Sequence, residues 1–294
     1  MTRTLTWSAL RTFADCPYQW YLRHDECLRP IGEAPSEARD QGKSFHEATA
    51  ILLRDGLEAA IASVPAESRD DLRNIKTQAM LQFVWQYRDV ALPRDPIAIE
   101  MNMPPVSLKG IRGFNLSGRV DALEPATVWE FKTVDNFANS QPLQYDFQGL
   151  LYLWMFQHIF PELTELKVLS ICRPTLRGRN GETVPELLLR MALQRDPPSD
   201  WVRVEGHTPA PSELRWAEQQ VRDTVSEIRW ARSKRGVFRK NWSACFRYKR
   251  KCAYYPLCWS PAEEYNGIVD AMFQHAPAHP ELMEPETRSA ESPF

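Results

Sequence analysis

The stretch from Gly118 to Asn136, GRVDALEPATVWEFKTVDN, limits what this chain can fold into more than any other. Two alternating apolar segments flank the short turn EPA, which is the pattern of a β-hairpin. Asp121, Glu130 and Lys132 sit inside those segments among Val, Ala, Trp and Phe. Charge in such a setting is costly unless it is paired or bound to a metal. Residues two apart on a strand project to one face, so Glu130 and Lys132 point together while Phe131 faces the opposite layer. Asp121 lies on the partner strand and reaches the same spot. Two converging carboxylates offer hard oxygen ligands suited to Mg²⁺ or Mn²⁺. A lysine beside them can orient or deprotonate a water and offset charge on a phosphate, which suits metal-assisted phosphodiester hydrolysis. A plain salt bridge between Lys132 and either acid accounts for the same three residues.

The rest of the chain supplies a setting for the hairpin. Residues 6–24 read as a helix opened by Thr6 or Ser8, with a kink or restart at Pro17. Helices are expected over about 42–63 and 68–90, where Phe45, Ala48, Ile51 and Leu52 have helical spacing. The period then changes to two in IAIEMNM (97–103), FNLSGRVDAL (114–123) and TVWEFKTV (127–134), each read as a strand. A helix over 142–159, a strand over 166–173, a strand over 186–193 and a long helix over 209–235 follow. Glu100 interrupts its apolar run and is either an edge-strand glutamate or a neighbour of the acids. This order implies an α/β (α+β) fold, a central mixed β-sheet flanked by helices. Residues 1–262 are expected to form a single domain with a core at about 40–200, and 263–294 a partly disordered tail.

With 43% hydrophobic and 25% charged residues, the composition is that of a globular protein. No apolar run approaches the length of a membrane helix, and the N-terminus has no signal-peptide pattern, so a cytoplasmic protein is expected. The net charge is only −2, yet no acid occurs from Ile228 to Ala262. That interval holds ten basic residues interleaved with aromatics such as Trp230, Phe238, Trp242, Phe246, Tyr248, Tyr254 and Tyr255. A solvated face explains the charge alone; the aromatics fit a nucleic-acid track, with single strands favoured.

Taken together, the motifs resemble the PD-(D/E)XK nuclease superfamily, in particular its RecB-like exonuclease branch. GKSFHE resembles the first motif, GRVD and EFK the central two, and QGLLYLW the helical one that follows. The resemblance implies a restriction-endonuclease-like fold and a Mg²⁺- or Mn²⁺-dependent DNA exonuclease. His46, Asp121 and Glu130 would then bind metal, with the Phe131 carbonyl as a further ligand. Lys132 would position the attacking water, and Gln148 and Tyr152 would support the substrate. Recombination, repair and CRISPR-type processing, with partner proteins to match, are the settings such relatives serve. A non-catalytic DNA-binding module of the same fold, or a zinc-binding regulator, remains the alternative.

Six cysteines in a chain without secretion signals are not expected to form disulfides. Cys16 lies in FADCPYQW near one end, and Cys245, Cys252 and Cys258 are spaced C-x6-C-x5-C near the other. One cysteine before the core and three after it resembles the superfamily's iron–sulfur subgroup, which implies a [4Fe–4S] cluster clasping 6–30 to 236–262. The first C-terminal interval is longer than the C-x2-C frequent in that subgroup. Zinc on the same four thiolates, or free buried cysteines, are the other readings. Cys27 and Cys172 fall outside the pattern.

Overall fold

The computed structural model describes residues 3–32, 37–68, 70–107, 111–139, 146–194, 200–233, 237–246, 251–279 and 282. Several residues of the acid-free interval (Lys234, Arg235, Arg247, Tyr248, Lys249 and Arg250) and most of the tail beyond 279 lie outside the described residues.

Strand β1 (Arg3–Leu5) leads into α1 (Trp7–Asp15), whose N-cap is Thr6; its hydroxyl accepts from the Ala9 amide. After the extended Cys16, Pro17 opens α2 (Pro17–Trp20), because a proline at the first helical position forgoes no hydrogen bond. A π-helical turn at Tyr21–Asp25 and strand β2 (Leu28–Pro30) follow. The helix expected over 42–63 is two helices, α3 (Glu37–Asp55) and α4 (Leu57–Ala62). Gly56 breaks them with φ 87°, a value glycine adopts without penalty. Then come α5 (Leu72–Gln86), α6 (Arg88–Ala91), β3 (Ala98–Asn102), β4 (Val106–Ser107), β5 (Phe114–Leu116), β6 (Arg119–Leu123) and β7 (Thr127–Val134). The chain continues through α7 (Phe147–Phe156), β8 (Glu165–Cys172), α8 (Val184–Ala192), β9 (Val202–His207) and α9 (Pro211–Ser233). It closes with α10 (Tyr255–Trp259), α11 (Tyr265–Met272) and β10 (Phe273–His275).

Two further expectations change. FNLSGRVDAL is two strands in different sheets, β5 beside β1 and β4, and β6 between β3 and β7. Residues 186–193, expected as a strand, fall in helix α8. A capping box starts it: the Thr183 hydroxyl accepts from the Glu186 amide, and the Glu186 carboxylate accepts from the Thr183 amide. Leu187 and Met191, four apart, are its buried face. Within 263–294, Tyr265–Met272 form α11 and Phe273–His275 form β10.

The chain divides into two compact units. The larger holds residues 35–103 and 119–218 and contains a five-stranded sheet ordered β3-β6-β7-β8-β9. Within this sheet β7 and β8 pair in parallel and the other neighbours antiparallel, so it is mixed, with α7 in the crossover between β7 and β8. Phe45, Ala48 and Leu52 of α3 and Ile75, Met80 and Val84 of α5 pack against Trp129, Phe131, Leu169 and Ile171 of the sheet. Phe83 stacks on Trp201 at 4.5 Å. Because Trp129 and Phe131 enter this core, Glu130 and Lys132 face the other way. The smaller unit holds residues 1–34, 104–118 and 219–294. Its β1-β5-β4 sheet and β2–β10 pair accompany a core of Leu22, Leu28, Tyr254, Leu257, Cys258 and Phe273. Asp25 ties segments of this unit by ion pairs to Arg3 and Arg232. No described helix is long and apolar enough to cross a membrane.

Candidate active site

The hairpin turn closes with reciprocal backbone bonds between Glu124 and Thr127. Its register pairs Ala122 with Trp129 and Leu123 with Val128, which carried one step further sets Asp121 across from Glu130. On the other side of β6, Ile99 faces Ala122 and Met101 faces Val120, so Glu100 stands across from Asp121. Opposed residues share a face of an antiparallel sheet. Glu100, Asp121 and Glu130 are therefore a row of three carboxylates on adjacent strands. Glu100 adopts φ 53°, a left-handed value within β3.

Like charges placed opposite one another destabilise a sheet unless compensated. Asp121 is buried; one of its oxygens accepts from the Phe131 amide at 2.5 Å and the other meets Nδ1 of His46 at 2.8 Å. His46 follows the fully buried Phe45 on α3 and keeps 30% of its side chain exposed, at the rim of the core. Arg119, two residues before Asp121, pairs with Glu100 at 2.9 Å. Gln148 at the start of α7 donates to Glu130. Tyr152, one turn further along α7, is buried and interacts with Gln148 and Glu130. Lys132 donates to Asp146, which precedes α7.

Burial raises the Glu130 carboxyl well above the usual range, and Asp121 adds to the shift. Glu100 is pushed to about 7 by burial and then by Asp121, with Arg119 opposing. Burial acts against charge on His46, but Asp121, Glu130 and Glu100 outweigh it and raise the imidazole to about 9. Burial, followed by Glu130, also raises the Tyr152 phenol. Neighbouring carboxylates contribute to each of these shifts, and a divalent cation would relieve that part. Ligand atoms of His46, Glu100 and Asp121 lie within 4.8 Å of one another, so the donor set fits a hard cation. Sequence reasoning left Glu100 undecided and passed over Arg119 and Asp146. Each lies two residues from a motif residue, Asp121 or Gln148, and that spacing was the available signal.

In the smaller unit, Cys16, Cys245, Cys252 and Cys258 are free thiols. The Cys252 amide donates to the Cys245 carbonyl at 2.7 Å. Burial pushes the Cys258 thiol up to about 12, and Cys252, Cys16 and Cys245 all press in the same direction. Burial likewise raises Cys252, with Cys245 and Cys16 contributing. Cys16, Cys245 and Cys258 are buried and Cys252 is half-buried. Cys172 lies in β8, in the core of the larger unit, and Cys27 precedes β2.

A mixed sheet bearing two acids and a lysine on one hairpin is consistent with a nuclease fold. The chain belongs to the PD-(D/E)XK nuclease superfamily, whose family model matches residues 4–259. Members of that superfamily are nucleases that use divalent metals. Among curated proteins, none matches this chain. Solved structures similar to it include two exonucleases. A protein from Eubacterium rectale assigned as an exonuclease shares 12% identity with TM-score 0.49 over 92% of both chains. A phage-related exonuclease from Haemophilus somnus shares 12% identity with TM-score 0.35 over 66% of this chain and 83% of its own. The family model carries the assignment.

Proposed function

We propose that this protein is a metal-dependent deoxyribonuclease that degrades DNA from its ends, with single strands preferred. The observation that supports it is the row Glu100, Asp121 and Glu130 on three adjacent strands, with His46 against Asp121. His46, Asp121, Glu130 and the Phe131 carbonyl would hold one or two Mg²⁺ or Mn²⁺ ions, with Glu100 in reach. Such an ion supplies Lewis-acid polarisation of the scissile phosphate. Lys132, held by Asp146, orients the attacking water and places positive charge beside the phosphate. Gln148 fixes the Glu130 carboxylate, and Tyr152 backs that contact from the same helix. The Phe131 amide fixes the Asp121 rotamer, so little reorganisation remains when substrate arrives.

The four cysteines would hold a structural [4Fe–4S] cluster that closes the long loop between Cys16 and Cys245. Incubating pure protein with end-labelled single- and double-stranded DNA and Mn²⁺ tests the activity. Wild type should shorten the strands, and Glu130→Ala should abolish shortening with the fold retained. Metal-dependent cleavage that survives in Glu130→Ala would sink the assignment.

A further inference from the structure

Three aromatic rings lie on the surface of the smaller unit beside its cysteines. Phe246 and Tyr255 meet edge to face at 5.6 Å, and Tyr255 and Trp259 lie tilted at 6.2 Å. Tyr255 and Trp259 are four residues apart on α10 and so share its face. Rings of this kind are normally buried to a large extent, yet Phe246 is 60% and Trp259 51% exposed. Cations accompany them. Lys251 Nζ lies 4.1 Å from the Tyr255 ring centre, and Lys240 Nζ 5.6 Å from that of Trp259. Both lysines are exposed, and no acid occurs from Ile228 to Ala262.

Accessible ring faces accompanied by ammonium groups complement a polyanion that displays flat apolar faces. An apolar protein partner would leave the lysines without counter-charge, and a duplex keeps its base faces stacked inside. We propose that Phe246, Tyr255 and Trp259 form a stacking platform for the unpaired bases of a single-stranded nucleic acid, with Lys240 and Lys251 facing its phosphates. The platform rests on the nuclease reading for its purpose, but binding alone reports it.

Fluorescence anisotropy of a labelled oligothymidylate with the full chain, without added divalent ion, measures that binding. An abasic oligomer of equal length carries the same phosphates without bases and should bind about tenfold more weakly. Trp259→Ala should weaken oligothymidylate binding by about tenfold, while Trp259→Phe, which keeps a ring, retains most of it. Tyr255→Leu, which keeps apolar bulk, should behave like Trp259→Ala. Equal binding of the abasic oligomer, or wild-type affinity in folded Trp259→Ala and Tyr255→Leu, overturns the platform. If that result comes with intact Mn²⁺-dependent cleavage, the nuclease still stands. Ring-dependent binding without cleavage supports the platform and removes the nuclease.

Discussion

Lys132 donates from Nζ to the carboxylate of Asp146, the residue on which helix α7 begins. The strand that carries the proposed catalytic lysine is thereby tied to the helix that carries Gln148 and Tyr152. Outer partners of this kind typically cost tenfold or more when removed from a metal site. Asp146→Ala should lower kcat by about tenfold or more with little change in KM, because it frees the ammonium without touching the substrate. Asp146→Asn, which keeps an acceptor, should recover part of the loss. Steady-state cleavage of labelled DNA reads both parameters; an unchanged kcat would mean that Lys132 is positioned by something else.

Protons and cations compete for the acid row. Burial and Asp121 raise Glu100 from an ordinary 4.5 to about 7, so the metal-free protein loses stability as pH rises across that window. His46 is raised from 6.5 to about 9, and its contribution is complete below 6.5 and lost as pH climbs through 9. A divalent cation replaces those protons. The thermal stabilisation given by Mn²⁺ should therefore grow with pH over this range. Melting curves with and without Mn²⁺ check it, and a shift that shrinks with pH would contradict the site.

Glu100 holds a left-handed backbone opposite another acid. Glycine relieves both the conformational penalty and the charge repulsion. Glu100→Gly should raise metal-free stability by about 1 kcal/mol and weaken Mn²⁺ binding. Urea denaturation and a metal titration on the same sample measure the two effects.

Gly149 follows Gln148 on α7 and lies against the fully buried Leu166 of β8. A Cβ there would clash with Leu166 Cδ2 and come within 3.0 Å of its Cδ1. Gly149→Ala should cost about 1–3 kcal/mol by overpacking, and adding Leu166→Ala should return part of it. Chemical denaturation of the single and double variants provides the measure.

The cluster reading makes a prediction of colour. Purified under anaerobic conditions, the protein should contain iron and sulfide and be brown. Cys258→Ser should lose both, whereas Cys172→Ala, at a cysteine in the sheet of the larger unit, should keep them. A colourless wild type that contains zinc would replace the cluster with a zinc site.

The hairpin and its charged residues were legible because period-two alternation and a short polar turn leave few alternatives. Glu100 was not, because its part in the row depends on the β3–β6 register, which no single strand reveals. FNLSGRVDAL alternates throughout, but the chain changes sheets at Ser117–Gly118, a choice set by which partners exist. ELLLRMAL suits either period, and the deciding signal, the pairing of its first residue Glu186 with Thr183, begins three residues upstream. In the tail, Pro and Glu composition concealed Tyr265, Ile268, Val269 and Met272, an apolar set at helical spacing. Strand β9 was missed because its short VRVE alternation adjoins a Pro- and Asp-rich run.

The interleaving of the two units along the chain orders their completion during synthesis. Everything in the larger one has been synthesised once Glu218 is added, but the smaller one also requires residues 219–294. Its first-made parts wait the longest: Asp25 for Arg232, and Trp20 for Phe238. Until the ribosome reaches those partners, Leu10, Phe13 and Trp20 are oily side chains without a finished home. A nascent chain stalled near Glu218 would thus pair a complete acid row with a sticky leading end, a natural client for chaperones.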